Sequence, residues 1–111
     1  MPDLETLKTA IRQFVQERDW EPFHDPKNLA MAVVSEAGEL AAELRWVPSE
    51  RADEHCEDAE ARSRIADEMA DVAITLCMLA DRTGIDLLEA MERKLEKNRR
   101  KYPVQEHRGK Y

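Results

Sequence analysis

The sequence predicts an all-α fold, a compact bundle of four helices, and three observations lead there. Ala, Leu and Glu dominate the composition while Val, Ile, Thr and aromatic residues are sparse, which favours helix over strand. Apolar residues recur at helical rather than alternating spacing. Residue pairs that start or stop helices, Asp25-Pro26, Pro48-Ser49 and Thr83-Gly84, fall between the periodic stretches. At 111 residues the chain has room for a single domain, residues 1–111. Its 42% hydrophobic content is enough for a core, and its 37% charged content comes without low-complexity tracts, so it does not read as disordered.

The first helix is expected over about 3–18, where Leu4, Leu7, Ile11, Phe14 and Val15 share a face. The segment DWEPFHDP follows as a loop, and its Asp25 can cap a second helix in which Pro26 takes the first position, where a missing N–H costs nothing. That helix runs to about Arg45. A polar connector spans Pro48 to about Asp58. The third helix, about 59–83, carries Ile65, Met69, Val72, Leu76 and Leu79 on one side, and Gly84 can end it in a left-handed cap. Asp86 with Glu89 resembles a capping box for the fourth helix, whose buried face is Leu87, Leu88, Met91 and Leu95 and whose limit is Pro103. Residues 104–111 are expected to fray.

Charge narrows the function classes. Twenty-four acidic against 17 basic residues leave a net charge of −7, which argues against nucleic acid as a partner. No uncharged run approaches the ~18–20 residues of a membrane span, and the start MPDLETLK lacks an apolar signal core, so a cytoplasmic protein is expected. Cys56 and Cys77 show no metal-ligand spacing and are expected to be free thiols.

The informative feature is a pair of acid pairs. Glu36-x-x-Glu39 lies on the second helix and Glu68-x-x-Asp71 on the third, and residues three apart project from nearly one face. Acid pairs on helices are commonly solvated. Here Asn28–Ser35 and Val72–Ala80 contain no charged residue, so both helices are expected to be covered on most sides, with the carboxylates in narrow stripes between packing surfaces. Four ionised carboxylates in such a place must protonate, pair with bases or bind cations. Arg64 and Arg82 could neutralise part of the charge as a structural network. Divalent cations answer the problem more fully, and an all-oxygen ligand set favours Mg²⁺ or Mn²⁺ over zinc or copper. His24, His55 and His107 fall outside the four helices, which disfavours the Glu-x-x-His pattern of di-iron bundles.

Carboxylate-held Mg²⁺ suits phosphate chemistry. Lys94, Asn98 and Tyr102 follow at i, i+4 and i+8 on the fourth helix, where Lys94 could meet a phosphate and Asn98 a sugar or phosphate. The neighbouring Lys97, Arg99, Arg100 and Lys101 could equally serve the negative end of the helix dipole. Trp20 and Trp46 flank the second helix and offer planes for a nucleobase, or else anchor the core.

Five blocks in order, ERDW, FHDPKNL, SEAGELAAELRW, DEMADV and KLEKNRRKYP, resemble the MazG-like all-α nucleoside triphosphate pyrophosphohydrolases, and most closely their dCTP pyrophosphatase branch. The resemblance implies that Glu36, Glu39, Glu68 and Asp71 hold Mg²⁺. It also implies that Lys94, Asn98 and Tyr102 meet the triphosphate and sugar, that Trp20 and Trp46 form the base pocket, and that the site is built in a homo-oligomer, a dimer or a tetramer. The expected reaction is hydrolysis of a pyrimidine deoxynucleoside triphosphate such as dCTP to monophosphate and pyrophosphate, as nucleotide-pool house-cleaning. Glu39 is the candidate to orient the water, with Glu36 the second candidate catalytic residue. One departure is Ile11, which stands where animal members carry a polar histidine. The rival expectations are action on dUTP, a purine nucleotide or an ATP-linked metabolite, and a non-enzymatic helical interaction module.

Overall fold

The structure, a computed structural model, describes residues 2–110. In chain order it contains α1 (Leu4–Glu17), a 3₁₀ turn (Glu21–Phe23), α2 (Pro26–Leu44), a second 3₁₀ turn (Ser49–Arg51), α3 (Ala52–His55), α4 (Ala59–Thr83), α5 (Leu87–Lys101) and α6 (Val104–His107), with no strand among the described residues. The four expected helices are present as α1, α2, α4 and α5.

All four long helices start in the same way. Asp3, Asp25, Asp58 and Asp86 sit in extended backbone, and each carboxylate accepts a hydrogen bond from the backbone N–H three residues on, at 2.8 to 3.1 Å. Each such cap satisfies a donor the helix cannot and is worth about 1 kcal/mol. Asp86 therefore caps α5 as expected. Two caps end the helices that matter most for the site. At the end of α1, Asp19 takes a left-handed conformation (φ 52°), and the Trp20 N–H closes back onto the Val15 carbonyl at 3.2 Å. Gly84 (φ 70°) plays that part after α4, with the Ile85 N–H on the Ala80 carbonyl at 3.0 Å.

The main packing joins α2 to α4, and α1 lies along α4. Leu29, 2% exposed, is the deepest large side chain, and Val15, Ala61, Thr75 and Ala80 are also buried. Burying a leucine of this kind stabilises the fold by about 2–3 kcal/mol. Arg12 of α1 reaches Asp81 of α4 at 2.6 Å, but both side chains are nearly half exposed, so the pair orients the helices more than it stabilises them.

Three expectations need correction. The connector after Trp46 is ordered as a 3₁₀ turn and the one-turn helix α3, with Cys56 as its cap. The tail does not simply fray: Val104–His107 forms one turn, because Pro103 offers its carbonyl to the His107 N–H and the His107 ring meets Tyr102 edge-on at 5.2 Å. The bundle is not compact. The radius of gyration is 17.1 Å, against about 13 Å for a close-packed chain of this length. The cause is α5, which buries none of its residues and leaves Leu88, Met91 and Leu95 exposed. The far sides of α2 and α4 are bare as well: Met31, Val34 and Met69 are exposed, and nothing lies within 4 Å of where a Gly38 side chain would start. The charge-free runs do mark packing faces, but this chain covers only one side of each helix.

Candidate functional site

The α2–α4 contact carries the acid pairs towards each other. One carboxylate oxygen from each of Glu36, Glu39 and Glu68 lies within 4.8 Å of the others. Glu36 and Glu68 are half-buried, and Glu39 is exposed at the rim. Asp71 stands outside this close trio, yet its charge reaches both half-buried members. Loss of hydration pushes the Glu36 carboxyl above its ordinary value, and the charges of Glu39 and Asp71 push it further. Glu68 is raised for the same first reason, then by Glu39, Asp71 and Glu36. Like charges and dehydration both disfavour the ionised state, so the cluster is under electrostatic stress.

Two findings show that the cluster suits a cation better than a salt-bridge network. Glu36 Oε2 and Glu68 Oε2 are buried and have no hydrogen-bond partner. The arginines that could have neutralised the cluster are used elsewhere: Arg64 Nε bonds Glu43 at 3.1 Å, and Arg82 donates to the Glu21 carbonyl at 2.8 Å. Unpaired carboxylate oxygens facing one point form a hard, all-oxygen donor set, which fits Mg²⁺ or Mn²⁺. Glu36, Glu39 and Glu68 are the residues that could hold such an ion, with Asp71 beside them.

An apolar cavity of about 620 Å³ opens next to the acids, and Glu36 and Asp71 line it. Leu7, Ile11 and Phe14 of α1 form one wall, while Ile74, Thr75 and Met78 of α4 form another. The cap that ends α1 sets Trp20 into the cavity, where its ring meets Phe14 edge-on at 5.5 Å and the His24 ring at 6.1 Å. Thr75 spends its hydroxyl proton on the Asp71 carbonyl at 2.7 Å, which fixes the backbone under that acid. An aromatic slot beside a carboxylate cluster has the makeup of a site for a flat ring next to a bound cation.

The other candidate residues lie apart from this cavity in the chain. Trp46 is 83% exposed and lines a separate depression with Pro48, Arg51 and His55, its ring under the Arg45 guanidinium at 5.4 Å. At that exposure it is no core anchor. Lys94 and Asn98 line a shallow groove on α5 with Leu88, Met91 and Leu95, and Tyr102 caps the end of that helix. No α5 residue lines the cavity beside the acids. Sequence reasoning missed Phe14, Phe23, His24 and Asn28 as lining residues. For Phe23, His24 and Asn28 the signal was present in FHDPKNL, an aromatic and two polar residues in a proline-containing loop that leads into α2; Phe14 sits on the apolar face of α1.

Residues 33–110 match the MazG-like family, a stretch that contains all four acids and the whole of α4 and α5. The chain belongs to the MazG-like family. Its relatives include dCTP pyrophosphatase 1 of Bos taurus, 41% identical over 108 residues that make up 97% of this chain and 64% of the bovine protein. The Homo sapiens protein of that name is 39% identical over 103 residues, 93% of this chain and 61% of the human one. The chain thus spans somewhat under two thirds of these relatives. Among solved structures, a pyrophosphatase from Archaeoglobus fulgidus superposes with a TM-score of 0.85 at 38% identity, covering 93% of this chain and 94% of that one. MazG-like membership accords with the all-helical fold.

Proposed function

We propose that this chain is a divalent-metal-dependent nucleoside triphosphate pyrophosphohydrolase acting on a pyrimidine deoxynucleotide such as dCTP, in nucleotide-pool house-cleaning in the cytoplasm. The observation that carries the reading is the convergence of Glu36, Glu39 and Glu68 beside a cavity walled by Trp20 and Phe14. The names of the bovine and human relatives and of the archaeal pyrophosphatase support it.

The base enters the aromatic cavity and the triphosphate extends towards the acids. Mg²⁺, when bound, would supply positive charge to offset that on the phosphate oxygens. Glu36, Glu39 and Glu68, with Asp71 beside them, are the residues that would hold it. Glu39, the most exposed of the close trio, orients a water against the α-phosphorus, with Glu36 beside it. A bond forms from the water oxygen to that phosphorus, the bond to the bridging oxygen breaks, pyrophosphate departs, and the water's proton passes through a carboxylate to solvent.

The triphosphate also needs cations from the protein, and Lys94, Asn98 and Tyr102 lie on the helix this chain leaves unpacked. We propose that a second copy of the chain packs on α5 and on the bare sides of α2 and α4, so that a homodimer or tetramer completes the site and gives Trp46 its place over the base. The acidic net charge argues against nucleic acid as the main partner, and among the described residues no helix is long and apolar enough to cross a membrane.

The test is a panel of nucleoside triphosphates incubated with the purified protein and Mg²⁺, read as pyrophosphate release. Release that is lost in Glu39→Gln and Asp71→Asn upholds the reading. No release from any nucleotide, together with no thermal shift by Mg²⁺, would favour a helical interaction module instead.

A further inference from the structure

A nucleotide that spans the aromatic cavity and the acids needs those two parts held at a fixed separation, and different segments of the chain carry them. We propose that Arg82 is the positioning residue that sets this separation: its guanidinium ties the turn bearing Trp20 and Phe23 to α4, the helix bearing Glu68 and Asp71. The proposal rests on the nucleotide hydrolysis proposed above.

The turn is pinned at three points. The Trp20 N–H donates to the Val15 carbonyl at 3.2 Å, which joins it to α1. Asn28 Nδ2 donates to the Phe23 carbonyl at 3.1 Å, which joins it to α2. Both bonds run to the helices directly before and after the turn, so neither fixes it against α4. The third is Arg82 Nη1, which donates to the Glu21 carbonyl at 2.8 Å across 61 residues of sequence. Among the described residues it is the one hydrogen bond between the turn and α4. The same carbonyl accepts the His24 N–H at 3.1 Å, so one oxygen both closes the 3₁₀ turn and anchors it.

Helix α4 serves as the spacer. Arg82 follows Asp71 by eleven residues, about three turns and about 16 Å along the axis. At about 100° per residue the two point within about 20° of each other, so acid and anchor share a side of the helix. Arg82 does not line the aromatic cavity; it lines a smaller one of about 140 Å³, and the two cavities share Ile11, His24 and Met78 as a wall. It therefore acts on the base through the turn and not by contact. Nor does the end of α4 depend on it, because Thr83 Oγ1 donates to the Leu79 carbonyl at 2.8 Å and the Ile85 N–H closes on the Ala80 carbonyl at 3.0 Å. Solvent reaches the Arg82 bond, so it adds little to stability. Its effect is on placement, where a shift of about 1 Å is enough to weaken a site.

The test is Arg82→Met, which keeps the apolar stem and removes the donors. With Mg²⁺ and dCTP it should raise KM about three- to tenfold, the loss of one hydrogen bond, and leave kcat within about twofold. Inhibition by inorganic triphosphate, which has no base, should not change; an equal loss there would mean that Arg82 holds phosphate itself, and would overturn the proposal. In a Trp46→Phe background Trp20 is the remaining tryptophan, and Arg82→Met should make its fluorescence easier to quench with acrylamide. Arg12→Met breaks the neighbouring pair with Asp81 but spares the Glu21 bond, and should raise KM and quenching less. Equal changes in the two variants would mean a general loosening of this end of the bundle and would overturn the proposal, as would a fall in kcat at unchanged KM, or no change in KM and quenching. If Arg82→Met does not fold, Arg82→Gln, polar but too short to reach the carbonyl, is read in the same way. No hydrolysis of any nucleotide by the wild-type protein overturns the nucleotide reading beneath, and the quenching of Trp20 then decides the tether by itself.

Discussion

Replacing Glu36 by Gln should make the metal-free protein more stable while removing its activity. The side chain lies half-buried, with one oxygen unpartnered and a Glu39 oxygen within 4.8 Å. Two unit negative charges at that distance repel by about 0.9 kcal/mol in water's dielectric, and salt lowers the figure further. With Asp71 also adding to the stress, neutralising Glu36 should relieve on the order of 1 kcal/mol. For a chain of this size that is a rise of roughly 4–8 °C in melting temperature. The assay is thermal unfolding followed by circular dichroism, in chelator and then in Mg²⁺. Wild type should melt low in chelator and gain markedly with Mg²⁺; Glu36→Gln should melt higher in chelator and gain little. If the variant melts at or below wild type in chelator and still responds fully to Mg²⁺, Glu36 is neither stressed nor a ligand, and the case for an ion site fails.

Acidity should act on the same stress. Glu36 and Glu68 have carboxyls raised above the ordinary 4.5, so the folded protein holds protons that the unfolded chain has released. The stability this brings is full below about 4.5 and is lost as pH rises through the raised values. In chelator, then, wild type should gain melting temperature relative to a Glu36→Gln, Glu68→Gln double variant as pH falls from 7 towards about 5; parallel curves would contradict the shifts. Leu29→Ala should cost about 2–5 kcal/mol, since the side chain is 2% exposed in a core too small to refill the gap, and urea unfolding would read it. Trp46→Ala should leave the monomer's melting within about 0.5 kcal/mol because the ring is 83% exposed, yet raise KM for the nucleotide; an unchanged KM would take Trp46 out of the site. Met91→Lys, on the exposed apolar stripe of α5, should shift the protein to a smaller species in sedimentation and lower turnover together, and an unaltered size would argue against α5 as the contact.

Local chemistry was legible in the sequence, and long-range pairing was not. Asp25, Gly84 and Asp86 could be read as caps because capping acts within three or four residues. The acid pairs could be assigned to helix faces because 3.6-residue periodicity fixes a face. That the two faces meet followed only from the uncharged runs beside them, and the structure brings Glu36, Glu39 and Glu68 together while leaving Asp71 a step away. What Arg64 and Arg82 do could not be read: their partners, Glu43 and the Glu21 carbonyl, lie 21 and 61 residues distant. The same limit applies to Trp46 and to α5. Periodicity says that Leu88, Met91 and Leu95 form an apolar stripe, but not whether the same chain or another covers it.

The stand-off position of α5 has a consequence for how the protein comes apart. A helix of 15 residues with no buried side chain gains little beyond its own backbone ladder, so its amides should exchange with deuterated solvent orders of magnitude sooner than those of α2 and α4 when the protein is very dilute. Raising the concentration should slow that exchange in α5 before it changes anything in the central pair. A single helix would thereby report, residue by residue, on whether the protein has company.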